Sequence, residues 1–248
     1  MAAVSLIFAP GERPDAKAVL SLAQERSGFA VSFDPDTDDG SAANDDGRWL
    51  ELLVNGLTFD LVGLAPGSSA QVPSPGHHYG LAPGFGDAGL EAITLQPGPH
   101  LASGGAMLPV VRSLALLAAR MAALPGVAAI AWHPARCWSA PEAFADAVVR
   151  WTEGGAFPVF SLAALFASQD GAMQSEGLAL FTRQELRIEP ELAANRAEAG
   201  KLAVRLIHWL AERGTLTGPQ PFAGPDGTAL RLEPSANGRF VRVRGDDR

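Results

Sequence analysis

Apolar positions recur with two different periods along the 248 residues, and the points where one period yields to the other mark out strands and helices. Val4 to Ala9 is a short apolar run stopped by Pro10-Gly11, which predicts a buried strand. Ala16, Val19, Leu20 and Ala23 then repeat at helical spacing, with Pro14 in the first turn and Gly28 just past the end. Phe29 to Phe33 predicts a second strand. The sharpest local signal is RWLELLVNGLTFDLVGL, where Asn55-Gly56 supplies the two positive φ angles of a type I′ turn and so fixes a two-residue hairpin. Its register sets Leu52 opposite Phe59 and Leu50 opposite Leu61 on one surface, and Glu51 opposite Asp60 on the other.

Ala65 to Gly89 is rich in Gly, Pro and Ser and has no period, so it predicts a long loop of the kind that is functional or flexible. Glu91 to Gln96 reads as a strand, 107–124 as a nearly all-apolar helix closed by Pro125-Gly126, and Val127 to Trp132 as a buried strand. SAPEAFADAVVRW opens a helix with Ser139 as N-cap, Pro141 in the first turn and Glu142 completing a capping box; Phe144, Ala147, Val148 and Trp151 form its buried stripe. Phe157–Ala167 and Leu178–Ile188 read as strands, Pro190 opens a long helix ending at Gly214, and TALRLEP with RFVRVR suggests a closing hairpin. An offset of 128 superposes the two helix stripes, lays FAVSF on FPVFS and brings the Asn-Gly hairpin against 177–189, which suggests an internal duplication. The expected architecture is α+β: a single domain over 1–248 of two βαββ-like halves, about 1–96 and 104–248, with mostly antiparallel or mixed sheet under about four helices.

Laid out in order, GVAAIAWHPARCWSAPEAF, PVFSLAALF and GLALFTRQEL resemble a bacterial family known only as a domain of unknown function. The matching positions are Gly126, Val127 and Trp132 of a G-V-x-A-x-x-W strand, and Gly177, Leu178, Phe181, Glu185 and Leu186 of a G-L-x-x-F-x-x-x-E-L strand. Family members often carry a second acid where this chain has Arg187, and a glycine where it has Thr182-Arg183, which alters any role those acids share. The resemblance implies the order of parts and a bacterial origin, and no activity.

Charge narrows the partners. With 19 Lys+Arg against 27 Asp+Glu the net charge is −8, which repels nucleic acid and anionic lipid, so neither is an expected partner. Arg231, Arg239, Arg242, Arg244 and Arg248 form the one stretch able to contradict that, and a charged edge strand explains them equally well. MLPVVRSLALLAARMAALPG is the most membrane-like segment, but Arg112, Arg120 and Pro109 interrupt it, and a buried helix is expected instead. The N-terminal residues lack the pattern of a signal peptide, and the lone Cys137 demands no oxidising compartment, so the expected location is the cytoplasm.

Each candidate site meets part of a chemical requirement. Asp34, Asp36 and Asp38 stand at the first three ligand positions of a calcium loop, yet Asp39 replaces the turn glycine and Asp45 the closing glutamate, which favours a solvated acidic turn. Glu51 opposite Asp60 costs up to about 1 kcal/mol as a like-charge pair. A catalytic carboxylate pair, a metal or a bridging arginine would offset it, the arginine being expected. His77 and His78 offer metal ligands, but neighbours on an extended chain point apart; Tyr79 beside them and Glu185 complete the binding candidates. Cys137 just before a helix, with His133 nearby, has the makings of a thiol nucleophile and base, against the commoner inert thiol. No Walker loop, G-x-S-x-G or strand-borne G-x-G-x-x-G is present, and no cofactor is expected. The expectation is a non-catalytic, cytoplasmic interaction or accessory domain. Its rival is an enzyme acting from the 65–89 loop through His77 and His78, or from Cys137 with His133.

Overall fold

A computed structural model describes residues 2–25, 28–35, 48–86, 89–225 and 227–246. Its contacts divide the chain into two compact units, Met1–Gly155 and Ala156–Arg248. The architecture is α+β, with one mixed sheet in each unit.

In the first unit the strands are β1 (Val4–Phe8), β2 (Ala30–Phe33), β3 (Arg48–Val54), β4 (Leu57–Leu64), β5 (His77–Tyr79), β6 (Glu91–Pro97), β7 (Val127–Trp132) and β8 (Cys137–Ser139). They lie in the order β2-β3-β4-β6-β1-β7-β8-β5, antiparallel except for the β5–β8 pair. Helices α1 (Ala16–Glu25), α2 (Leu108–Met121) and α3 (Pro141–Thr152) accompany them. The hairpin has the predicted register, Leu50↔Leu61, Glu51↔Asp60 and Leu52↔Phe59, and Asn55 and Gly56 have φ of 52° and 76°. Because side chains alternate across a strand, Leu6, Leu52, Phe59, Leu61, Leu95 and Trp132 share the face packed by the helices, all fully or almost fully buried.

The opposite face explains the 65–89 stretch. Ile7, Ala92, Ala129, Ala131 and Trp138 form a second buried cluster, and Ala70, Val72, Leu81, Phe85 and Leu90 pack onto it. The chain segment therefore replaces a helical layer with an irregular one. It is pinned where Arg13 donates to the carbonyls of Gly63 and Gly67 and pairs with Glu91. Short side chains on the sheet allow this close approach: a Cβ on Gly63 would sit 2.7 Å from the amide of Ala70.

The second unit holds β9 (Ala164–Ala167), β10 (Met173–Glu176), β11 (Glu185–Ile188), β12 (Gln220–Ala223), β13 (Ala229–Pro234) and β14 (Phe240–Gly245), in the order β12-β13-β14-β11-β10-β9. Only β11 and β14 run parallel. The closing hairpin is β13–β14, as expected. The helices here are α4 (Val159–Leu162), α5 (Ala179–Thr182), α6 (Pro190–Ala193) and α7 (Arg196–Arg213).

Four local expectations are corrected. The strand predicted over Phe157–Ala167 begins as the helical turn α4, so FPVFS is no counterpart of the strand in FAVSF. Leu178–Ile188 is likewise split into α5 and β11, because Glu185 folds back on the amides at the start of α5. The long helix breaks between α6 and α7 at Asn195, whose side-chain oxygen accepts from the amides of Ala197 and Glu198 and so caps a fresh N-terminus. Ser139 is a buried strand residue paired with Ile130, and Ala140, held extended before Pro141, is the N-cap of α3. The connection near 96–104 lies inside the first unit, where β7, assigned by the repeat to a second half, pairs directly with β1.

Candidate functional site

The two histidine-containing candidates meet at one edge of the first sheet. Amides of Gly76 and His77 donate to the carbonyl of Arg136 at 2.8 and 3.1 Å, laying β5 beside β8 with His77 opposite Cys137 and His78 opposite Trp138. The His78 ring lies 6.0 Å from that of Trp138, and Tyr79 is 39% exposed at the edge. Cys137 is buried, and burial pushes its thiol up to about 11 although Ser139 opposes the shift. A thiol so placed is protonated at neutral pH and is a poor nucleophile.

His133 has a different partner. Its Nε2 lies 2.8 Å from the hydroxyl of Ser5, which lies 2.8 Å from that of Thr94. Ser5 and Thr94 are register neighbours on β1 and β6, on the face the irregular segment covers. Burial pushes the imidazole below its ordinary value, so His133 is neutral near pH 7. Thr94 and His133 floor an open cleft of about 440 Å³ walled by Val62, Ala70, Gln71 and Pro73. Ser5 is fully buried, so this chain can pass a proton but cannot present the serine to a substrate.

The carboxylate candidates separate. Glu51 and Asp60 do face each other, and Glu51 accepts from the hydroxyl of Ser32 at 2.8 Å; no arginine takes that place among the described residues. Burial, then the charge of Glu51, pushes Asp60 up, and His100 opposes both. Asp34 is buried, while Asp36 and Asp38 lie outside the described residues. Among the described residues no three His, Cys, Asp or Glu side chains gather closely enough to hold a metal ion.

Glu185 is a structural cap. Its Oε1 accepts from the amides of Gly177 (2.9 Å) and Ala179 (3.0 Å), and its Oε2 from the amide of Leu178 (3.2 Å) and the hydroxyl of Ser175 (2.5 Å). Burial pushes the carboxyl up against these four donors. The spacing G-L-x-x-F-x-x-x-E-L is thus the length of one excursion that the glutamate closes, with Gly177 supplying φ of +92° at its start. Arg187, at the position where a second acid was expected, pairs instead with Asp170 and Glu189.

A further cleft was not foreseen. It is open, about 590 Å³, and built by the hairpin tip, α2 and the end of α3. Arg112, Leu116 and Arg120, each four residues on from the last, line it from α2, Leu57 and Asn55 from the hairpin, and Thr152 and Glu153 from the end of α3. Arg112 stacks over the Trp151 ring at 4.9 Å, and its Nη2 donates to the carbonyls of Trp151 and Thr152 at 3.1 and 3.2 Å. Arg120 donates to the carbonyl of Gly28, where a Cβ would collide with the guanidinium; desolvation lowers the pKa of Arg120. Asn55 donates to Ser113 at 3.2 Å, tying the turn to α2. Among the described residues neither guanidinium is paired with a carboxylate. The legible signal was two arginines in the most apolar helix; they mark the edge facing the cleft.

Among the described residues no helix is long and apolar enough to cross a membrane. Comparison with models of protein families, with curated proteins and with solved structures finds no match to this chain.

Proposed function

We propose that the protein is a non-catalytic binding module that receives a segment of another protein in the cleft between the hairpin tip, α2 and α3. The observation that carries this reading is the exposure of Met107 (62%) and Leu108 (45%) at the start of α2, the helix whose Pro109 and Arg112 line the cleft, with Arg112 already fixed against Trp151. Large apolar side chains beside a groove with a held guanidinium are the usual anchors of an interface, because little freedom is lost on docking. The protonated state of the Cys137 thiol supports the same reading, since the most reactive side chain is withheld. The likeness to a bacterial family of unknown function is compatible with an accessory role in the cytoplasm.

A photo-crosslinking residue in place of Met107, introduced in the native host, tests it. A single protein adduct from Met107, absent when the probe replaces Lys201 in α7, is expected; equal or no adducts at the two positions sink the reading. The Thr94–Ser5–His133 chain favours a second reading, proton transfer to a small polar substrate over the 440 Å³ cleft. A turnover that vanished in Ser5→Ala would establish it.

A further inference from the structure

Arg112, Leu116 and Arg120 form one ridge of α2 along the wall of the larger cleft. The two arginines are eight residues apart, about 12 Å along the helix axis. An extended peptide rises about 3.3 Å per residue and repeats its side every second residue. Its positions 1, 3 and 5 thus face one way, with the outer two about 13 Å apart, which matches the cation, apolar and cation spacing of the ridge. We infer that the cleft recognises an acidic segment of a protein partner, in extended form, with the pattern acid-x-apolar-x-acid. This rests on the docking role just proposed, and names the occupant.

Charge complementarity is local. Eight of the 19 basic and sixteen of the 27 acidic residues precede Ala156, so the first unit carries the whole excess of negative charge. Among the described residues the two guanidiniums on this ridge have no carboxylate partner, and Glu153 is the only carboxylate among the described lining residues. Each guanidinium uses one nitrogen on backbone carbonyls, leaving further N–H groups for a carboxylate. Neutral Leu116 between them, with Leu57 and Val149 opposite, suits an apolar side chain better than a sugar-phosphate backbone.

The test titrates the full chain with rhodamine-labelled Glu-Ala-Leu-Ala-Glu and, separately, Gln-Ala-Leu-Ala-Gln, following anisotropy. The acidic peptide is expected to bind at least about tenfold more tightly. Arg120→Gln is expected to erase most of that difference and Glu153→Gln to enlarge it; Arg112→Gln, which also frees the last carbonyls of α3, is paired with Leu116→Ser as a check that does not touch them. Equal affinity for the two peptides overturns the inference, as does stronger displacement by a single-stranded oligonucleotide. If the peptides bind equally while the Met107 adduct forms, the acidic pattern is wrong and docking stands; if neither occurs, both are wrong.

Discussion

Two acids of the second unit, Glu185 and Glu189, are each held by several donors. Glu185 accepts three amides and a hydroxyl, so Glu185→Ala strands buried donors and is expected to lower the stability of the second unit by about 3 kcal/mol, read by urea unfolding. Glu189 behaves differently. Burial raises its pKa, but hydrogen bonds and charge from Arg242 and Arg187 outweigh that and hold the carboxyl below its ordinary value. A lowered pKa contributes stability above the unfolded value, about 4.3, and loses it as pH falls through the folded one. Acid unfolding in Glu189→Gln should therefore depend less steeply on pH below about 4.5 than in the parent protein. For Cys137 the sign is opposite in consequence: with its thiol pushed up to about 11, little thiolate exists at pH 8. Labelling by a disulfide reagent should be more than about 100-fold slower in the native protein than in urea; comparable rates would show an accessible thiolate.

At the level of elements, the long Gly/Pro-rich segment is a layer and not a tether. Ala70 reaches the sheet only because Gly63 has no side chain: a Cβ there would meet the Ala70 amide at 2.7 Å and the Ala92 carbonyl at 2.8 Å, in a backbone with φ of +91°. Gly63→Ala should cost about 3 kcal/mol or more and raise hydrogen exchange at the Ala70 amide, which donates to Ala92. Exchange unchanged at Ala70 would mean that the segment is held elsewhere. The hairpin lies at the other extreme. Its turn, register and buried face are dictated within RWLELLVNGLTFDLVGL, because all the interactions that fix it are neighbours in sequence.

For the whole molecule, the division at Gly155 predicts independent folding. Each unit has a sheet of its own and a buried core, Leu6, Phe59 and Trp132 in one, Leu186, Leu206 and Val243 in the other. A fragment 1–155 should unfold cooperatively by circular dichroism and bind anion exchanger strongly, since the eleven basic and eleven acidic residues after Gly155 cancel. A fragment that melts without a transition would show that its core depends on the remainder of the chain. The candidate cleft lies wholly within that fragment, so the acidic peptide should bind it as it binds the full chain.

The sequence by itself determined whatever depends on periodicity and near neighbours. The α+β class, the Asn55-Gly56 hairpin with its like-charged Glu51 and Asp60, the β13–β14 hairpin and the four helices of ten or more residues follow from stripes and turn chemistry. Tertiary structure alone decided which face of β1 would need a second cover, and that an aperiodic segment would supply it, since packing of Ala70, Leu81 and Phe85 onto Ile7 and Trp138 leaves no period in the chain. It also decided partners. His133 lies four residues from Cys137 yet its Nε2 bonds Ser5, from a strand 128 residues earlier, because strand pairing brings β1 and β7 together. Arg112 and Arg120 interrupt an apolar helix in the sequence, and only the arrival of the hairpin tip and the end of α3 turns that interruption into the wall of a cleft.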